Sequence, residues 1–418
     1  MNPENQNEII HEESGKPAVY NNRWQTTMLL FAATGLIEAL SFGHLSAFTP
    51  LYLRMLNVPG SQIEHWTGIL ASLGFILGLP LLPFWAVWAD KYGRKIIIIR
   101  SSVAATLIYV LFAIAGNLSV LAFARFLGGF VLGNTGVMMA VQADITPPKQ
   151  LGKAVALISS GAPVGMAIGP YMGGKIIQLF GIRPLFWLDA TLTAAIVIVL
   201  MIVLKDEIKT QPKEQSTRQG LAHAFRSIAH TPSVVSLFAV AFFMSYGLSL
   251  SFTFIPILIE RLYHGPITNL APTIGFALTG GGIAMALTTS LWGSCGDKYG
   301  HLKILRICGL VVTLTVVGFA ISTQVWQVTA SRIVQGICQG GLSSLIMVLL
   351  ALYSPIEKRS SVLTLSLLPQ QLSWFLGPFT GTFLTAISLR TPFIVGSVGM
   401  AIGLILTYRL PRTAIQSN

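Results

Sequence analysis

Twelve apolar stretches alternate along this chain with short polar turns. They run over roughly 26–53, 66–88, 95–116, 118–143, 151–179, 182–204, 232–258, 271–294, 303–322, 325–350, 360–388 and 391–410. About 20 such residues cross a bilayer as one helix. The pattern predicts an all-α integral membrane protein with twelve transmembrane helices. One polar stretch breaks the rhythm. Residues 205–231, rich in lysine and interrupted by proline, fall between the sixth and seventh runs and read as a solvated linker. A short surface helix is expected within it, around Gln219–Ile228. The chain therefore divides into a tail (1–25), six spans (26–204), the linker (205–231), six spans (232–410) and a second tail (411–418). The first tail carries Glu4, Glu8, Glu12 and Glu13. It reads as a cytoplasmic tail, because an acidic leader of this length does not fit a cleaved signal peptide.

The turns repeat. Trp85-Ala-Val-Trp-Ala-Asp90-Lys-Tyr-Gly93-Arg94-Lys95 is echoed by Trp292-Gly-Ser-Cys-Gly-Asp297-Lys-Tyr-Gly300-His301-Leu302, 207 residues later in a chain of 418. A charged turn recurring at half the chain length predicts two pseudo-symmetric six-helix bundles, the plan of transporters with a central path.

Composition narrows the class. Only 10% of residues are charged, against about 25% in soluble domains. The formal net charge of +12 would invite a nucleic-acid reading, but its placement argues otherwise. With the amino terminus inside, twenty of the 27 lysines and arginines fall on the cytoplasmic side, Arg100 among them. Only Arg54, Lys175, Arg183, Arg261 and Arg390 fall outside. This bias sets the orientation, with both termini cytoplasmic, and the basic residues face anionic lipid instead of DNA or RNA. Cys295, Cys308 and Cys338 lie in or beside spans, show no metal spacing with histidine, and read as structural thiols.

Charges inside spans are expensive and mark function by default. Glu38 lies about 18 Å into span one at 1.5 Å per residue, near mid-bilayer. No lysine or arginine lies within a helical turn or two of it in sequence. A carboxyl held out of water favours its neutral form, so Glu38 is the candidate proton carrier, and its anion suits a lipophilic cation. Asp189, nearer the outer end of span six, is a second candidate. His44, two turns beyond Glu38, either relays protons or only hydrogen-bonds. Arg125 in span four and Arg332 in span ten are again 207 apart, each about 10 Å below the outer surface, where snorkelling is the alternative.

Over nearly its whole length the chain resembles the major facilitator superfamily, and within it the twelve-span drug:proton antiporters. Asp90, Lys91, Gly93, Arg94 and Lys95 match that family's signature Gly-x-x-x-Asp-Arg/Lys-x-Gly-Arg-Arg/Lys, with Ala86 in place of the leading glycine. The second copy keeps Gly293, Asp297, Lys298 and Gly300 but has His301 for the arginine. In span five, Gly165, Gly169, Pro170, Gly173 and Gly174 match the antiporter pattern Gly-x-x-x-Gly-Pro-x-x-Gly-Gly. The resemblance implies that Asp90 docks on the start of span eleven and that Arg94 pairs with an acid closing span four, for which Asp144 is the candidate. Such a cluster would latch the halves together on the cytoplasmic side. Asp297 and Gly300 would form a weaker counterpart, since Ala351 offers no matching acid. Arg125 is the position that the resemblance implicates in proton transfer.

A roomy central pocket is expected to draw on Glu38, Asn134, Met138, Tyr246, Arg332, Gln335, Gln339, Gln371 and Trp374. The expected activity is proton-coupled export of lipophilic or cationic compounds by alternating access. The partners are small molecules, protons and the bilayer, and the unit is a functional monomer. No P-loop is present, so no cofactor and no enzymatic chemistry are expected. A specific exporter of one metabolite, siderophore, sugar or lipid is the alternative on the same fold. A non-transporting membrane sensor or assembly protein is the alternative from another class.

Overall fold

The computed structural model describes residues 23–204, 231–354, 362 and 365–410. Both tails, the linker up to residue 230 and the expected surface helix around 219–228 lie outside the described residues. The helices of the first half are α1 (Arg23–Met55), α2 (Ile63–Tyr92), α3 (Arg94–Ile114), α4 (Leu118–Phe126), α5 (Asn134–Ile145), α6 (Leu151–Phe180) and α7 (Ile182–Val203). Those of the second are α8 (Pro232–Leu262), α9 (Leu270–Tyr299), α10 (His301–Ile321), α11 (Val325–Tyr353), α12 (Leu368–Leu384) and α13 (Thr391–Tyr408). Among the described residues, eleven stretches are long and apolar enough to cross a membrane. The expected eleventh span, 360–388, is represented by the 17 residues of α12.

The repeated turns have one geometry. Gly93 and Gly300 end α2 and α9 at φ +100° and +93°, a region that side chains resist, and α3 and α10 start at the next residue. Around the helices the usual distribution is inverted. Leu179, Ile202 and Leu287 are over 70% exposed, while Ser41, His44 and Asp189 are fully buried. Apolar exteriors around polar interiors belong in lipid.

The fourth span departs from expectation. A single run over 118–143 was expected; the structure breaks it into α4, a 3-10 turn over Leu127–Phe130, a bend to Gly133 (φ +88°) and α5. Gly128 and Gly129 let the bend press against α2. A Cβ on Gly129 would stand 2.6 Å from the Gly78 nitrogen. A break in a membrane frees backbone carbonyls that must find donors inside the protein. Ser101 Oγ donates to the Val131 carbonyl (3.0 Å), and Arg100 Nη2 donates to that of Leu132 (3.3 Å).

The glycine run of α6 serves two neighbours. Gly161, Gly165 and Gly169 lie against the α1 backbone at Ala32, Leu36 and Leu40, and a Cβ on Gly169 would come within 2.7 Å of the Leu40 carbonyl oxygen. Gly174, one position off that face, meets Ala271 of α9 instead. In return, Gly282 of α9 approaches the Ala167 Cα at 2.6 Å as a Cβ would measure it. So α6 is wedged between its own half and the other one.

Contacts between the halves gather at the end of the bundle distal to the termini. Arg54 of α1 pairs with Glu260 of α8, and Arg261 Nη2 donates to Glu64 Oε1 of α2 at 2.7 Å. Both glutamates are at most about one-tenth exposed at the side chain, which shields these pairs from full solvent screening. Nearby, Thr382 of α12 bonds to the His65 carbonyl of α2. Each ion pair is lost when this end opens. We therefore expect Glu64→Gln with Glu260→Gln to shift the ratio of distal-open to distal-closed states by roughly 5–30-fold, the effect of one to two kcal/mol. Distances between spin labels at Asn57 and His264 would report it, and an unchanged distribution would show that packing alone holds this end shut.

Candidate functional site

Glu38 lies in the middle third of α1, where its carboxyl faces α3 and the broken fourth span. Ser102 Oγ donates to Oε1 at 2.9 Å, and Asn134 Nδ2 reaches both oxygens at 3.3 and 3.4 Å. Asn134 is the first residue of α5, so the carboxyl also sits at the positive end of a half-helix. Arg100 of α3 is its charged neighbour. The sequence reading placed Arg100 among the orientation signals at the cytoplasmic surface. Here it is partly buried, its guanidinium 3.4 Å from the ring centre of Trp85 in α2. The available signal was the polar run Arg100-Ser101-Ser102 inside an apolar span.

A cavity of ≈110 Å³ opens beside this carboxyl, lined by Glu38, Phe42, Phe75, Tyr109, Arg125 and Leu132 among others. Phe42, Ala71, Phe75 and Arg125 also wall a narrower space that reaches Phe252, Trp374 and Pro378 of the second half. Arg125 lines both spaces. It is buried, its Nη2 donates to Thr49 Oγ1 (2.7 Å) and to the Leu45 carbonyl (3.2 Å), and its guanidinium lies 5.7 Å from the Phe112 ring centre. It is therefore held inside the bundle, and snorkelling does not describe it.

Asp189 and His44 were expected as separate groups and are a pair. His44 Nδ1 lies 2.9 Å from Asp189 Oδ1, and Ser41 Oγ donates to the same oxygen at 2.9 Å. The other ring nitrogen of His44 turns toward Gly173 of the glycine run and has no hydrogen-bond partner among the described residues.

The pocket expectation needs correction in the second half and at one residue of the first. Met138 is buried in a cluster with Trp85, Ile98 and Val141, because α5 turns that face toward packing. Tyr246 donates to or accepts from Thr380 Oγ1 at 2.6 Å and packs on Gly399, and lines neither space described above. Arg332 Nη1 is taken up by Gln335 and Gln339 of its own helix, at 2.8 and 3.1 Å. Gln371 is partly buried on α12. Trp374 does reach the inter-half space, edge-on to Phe252 at 5.6 Å. No group of three or more histidine, cysteine or acidic side chains capable of holding a metal is present among the described residues.

A family model described as Major Facilitator Superfamily matches residues 29–272 and 267–417. This chain belongs to that superfamily. The multidrug resistance protein MdtG of Proteus mirabilis is 28% identical over 323 residues, 76% of this chain and 78% of that one. The MdtG protein of Escherichia fergusonii is 26% identical over 378 residues, 89% and 91% of the two chains. Among solved structures, the nucleoside transporter NupG superposes with a TM-score of 0.72 at 15% identity, over 92% of this chain and 98% of that one. A bacterial homolog of the human lysosomal transporter Spinster, captured inward-facing and occupied, gives 0.73 at 13%, over 95% and 98%. These two likenesses speak for the fold alone.

The superfamily turn between α2 and α3 places Arg94 Nη1 on Asp144 Oδ2, at the far end of α5 from Glu38. The Asp90 side chain lies outside the described residues. In the second superfamily turn, His301 Nε2 folds back on Asp297 of the preceding helix at 3.1 Å. His301 thus meets an acid one turn away on its own hairpin, where Arg94 meets one on another span.

Proposed function

We propose that this chain is a proton-coupled antiporter of the inner membrane, exporting lipophilic or cationic small molecules by alternating access. Its termini are cytoplasmic, and a single chain is the working unit. The observation that carries the reading is Glu38, a carboxyl in a mid-membrane cavity of the first half, which shares the walls Phe42, Ala71, Phe75 and Arg125 with a space that reaches the other half. There it can hold a proton or answer a cationic ligand, but not both at once. This competition is what couples the two fluxes. Each charge crossing the membrane draws about 2.3 kcal/mol per 100 mV from the electrical gradient. The printed name of the MdtG relatives supports a multidrug substrate range. The lysine and arginine bias supports the orientation.

A panel of fluorescent and radiolabelled cations on everted vesicles tests the reading. Uptake that collapses when an uncoupler is added is expected. Uptake indifferent to the uncoupler would overturn antiport, and transport of one polar metabolite with no cationic dye moved would overturn the multidrug range.

A further inference from the structure

Three consecutive residues of α3 serve one small region. Arg100 bonds the Leu132 carbonyl, Ser101 bonds the Val131 carbonyl, and Ser102 bonds Glu38. The first two hold the broken end of span four, and the third holds the candidate proton carrier. Trp85 closes the knot from α2. It stacks on Arg100, and its Cδ1 stands 2.9 Å from where a Gly133 Cβ would project. Beyond Gly133 the chain continues as α5, twelve residues without a further break. That rod begins with Asn134 on Glu38 and carries Asp144 on Arg94, about 15 Å away at 1.5 Å per residue.

We propose that Arg100 is a positioning residue that transmits the charge on Glu38 to the latch at Arg94, with α5 as the rigid connection and Gly133 as its hinge. The proposal rests on the antiport reading above and names its internal linkage. Ionised Glu38 accepts from Asn134 and Ser102 and is balanced by Arg100, which pins the break and keeps α5 in line. When a proton binds a Glu38 oxygen, or a cation meets that charge, Arg100 loses its counter-charge. The acceptor that holds Asn134 then weakens. α5 is released at its first residue and swings about the one glycine whose φ allows the bend, and Asp144 moves against Arg94.

Other charged groups face the same region. Tyr109 of α3 and Arg125 of α4 line the Glu38 cavity, and Tyr109 lies within the field of Asp189 and Glu38 alike. His44 of α1 and Asp189 of α7 pair with each other one or two turns away. None of these bonds the break; Asn134 bonds the carboxyl directly from span four, and Arg100 is the charged neighbour of that carboxyl that also holds a carbonyl of the break.

The test uses the full chain in lipid nanodiscs, spin-labelled at the exposed positions Ile96 and Ala143 after replacement of the three cysteines. Distances are followed across the pH range in which carboxyls titrate. The unsubstituted pair is expected to shift in one step, and Glu38→Gln should hold one distance throughout. Arg100→Lys should keep the step, while Arg100→Gln should erase it or move its midpoint by about one pH unit or more. Ser101→Ala, which removes only the bond to the Val131 carbonyl, should move it by less and covers the case in which Arg100→Gln does not fold. An unchanged midpoint in both Arg100→Gln and Ser101→Ala would overturn the role of Arg100. A distance that ignores pH, in a protein whose export still requires Glu38, would overturn the α5 linkage and leave antiport standing. Export that survives Glu38→Gln at full coupling would instead remove Glu38 from the coupling role on which this inference rests.

Discussion

Glu38→Gln is expected to abolish accumulation of a cationic substrate against its gradient while leaving the protein folded and in the membrane. The substitution keeps the side-chain volume. The amide oxygen can still accept from Ser102, so the knot between α1 and α3 persists. What disappears is the ability to exchange a proton and to present a negative charge to the cavity. Among the described residues that charge is the only acidic one lining this space, so no neighbour there replaces it. Downhill equilibration of neutral substrates should survive, which separates loss of coupling from loss of the path. The measurement is substrate accumulation in everted vesicles with an imposed proton gradient, beside the same variant's uptake with no gradient. Full-rate pumping by the glutamine variant would remove Glu38 from the coupling role.

Arg125→Ala should be the second severe loss, for a different reason. Arg125 ties α4 to α1 through the Leu45 carbonyl and Thr49, just before Pro50 interrupts the α1 hydrogen-bond ladder. Hydrogen bonds to charged groups contribute about 1.5–3 kcal/mol each when buried partners would otherwise be left unmade. Truncation therefore loosens α1 beside both cavities. A displacement of this kind costs on the order of 100-fold in rate when it misplaces the reacting groups. Arg125→Lys keeps one donor and the charge, and should retain a measurable fraction of export. Rates in vesicles, set beside thermal unfolding of the purified variants, check the expectation. Equal and normal export by both variants would reduce Arg125 to a packing residue.

Much of the architecture was legible because lipid imposes a simple rule. A helix crossing a bilayer needs an apolar run of fixed length, and each run can be read without knowing its neighbours. Local chemistry was equally readable at the turns. Gly93 and Gly300 recur at one register because each must take a positive φ between two helices. The glycines of α6 are four residues apart and so share one face. An acid alone in an apolar run announces itself by its cost.

The sequence by itself therefore determined the type of elements, their approximate number and duplication, the glycine seam, and the place of one acid, Glu38, deep in an apolar span. Tertiary structure decided partnerships. It put Asn134 and Ser102 on Glu38 and His44 on Asp189, whereas Arg94 on Asp144 is the pair the resemblance implied. It also drew Arg100 away from the surface to a broken helix 32 residues further along, and turned Met138 and Tyr246 into packing contacts. The physical reason is that spacing within one helix defines a face, but not what that face meets. The rotation and tilt of each helix come from packing summed over all its neighbours. The break in span four had the same origin. Its freed carbonyls are tolerable only where another helix brings donors, and the polar run at residues 100–102 marks those donors without saying which carbonyls they meet.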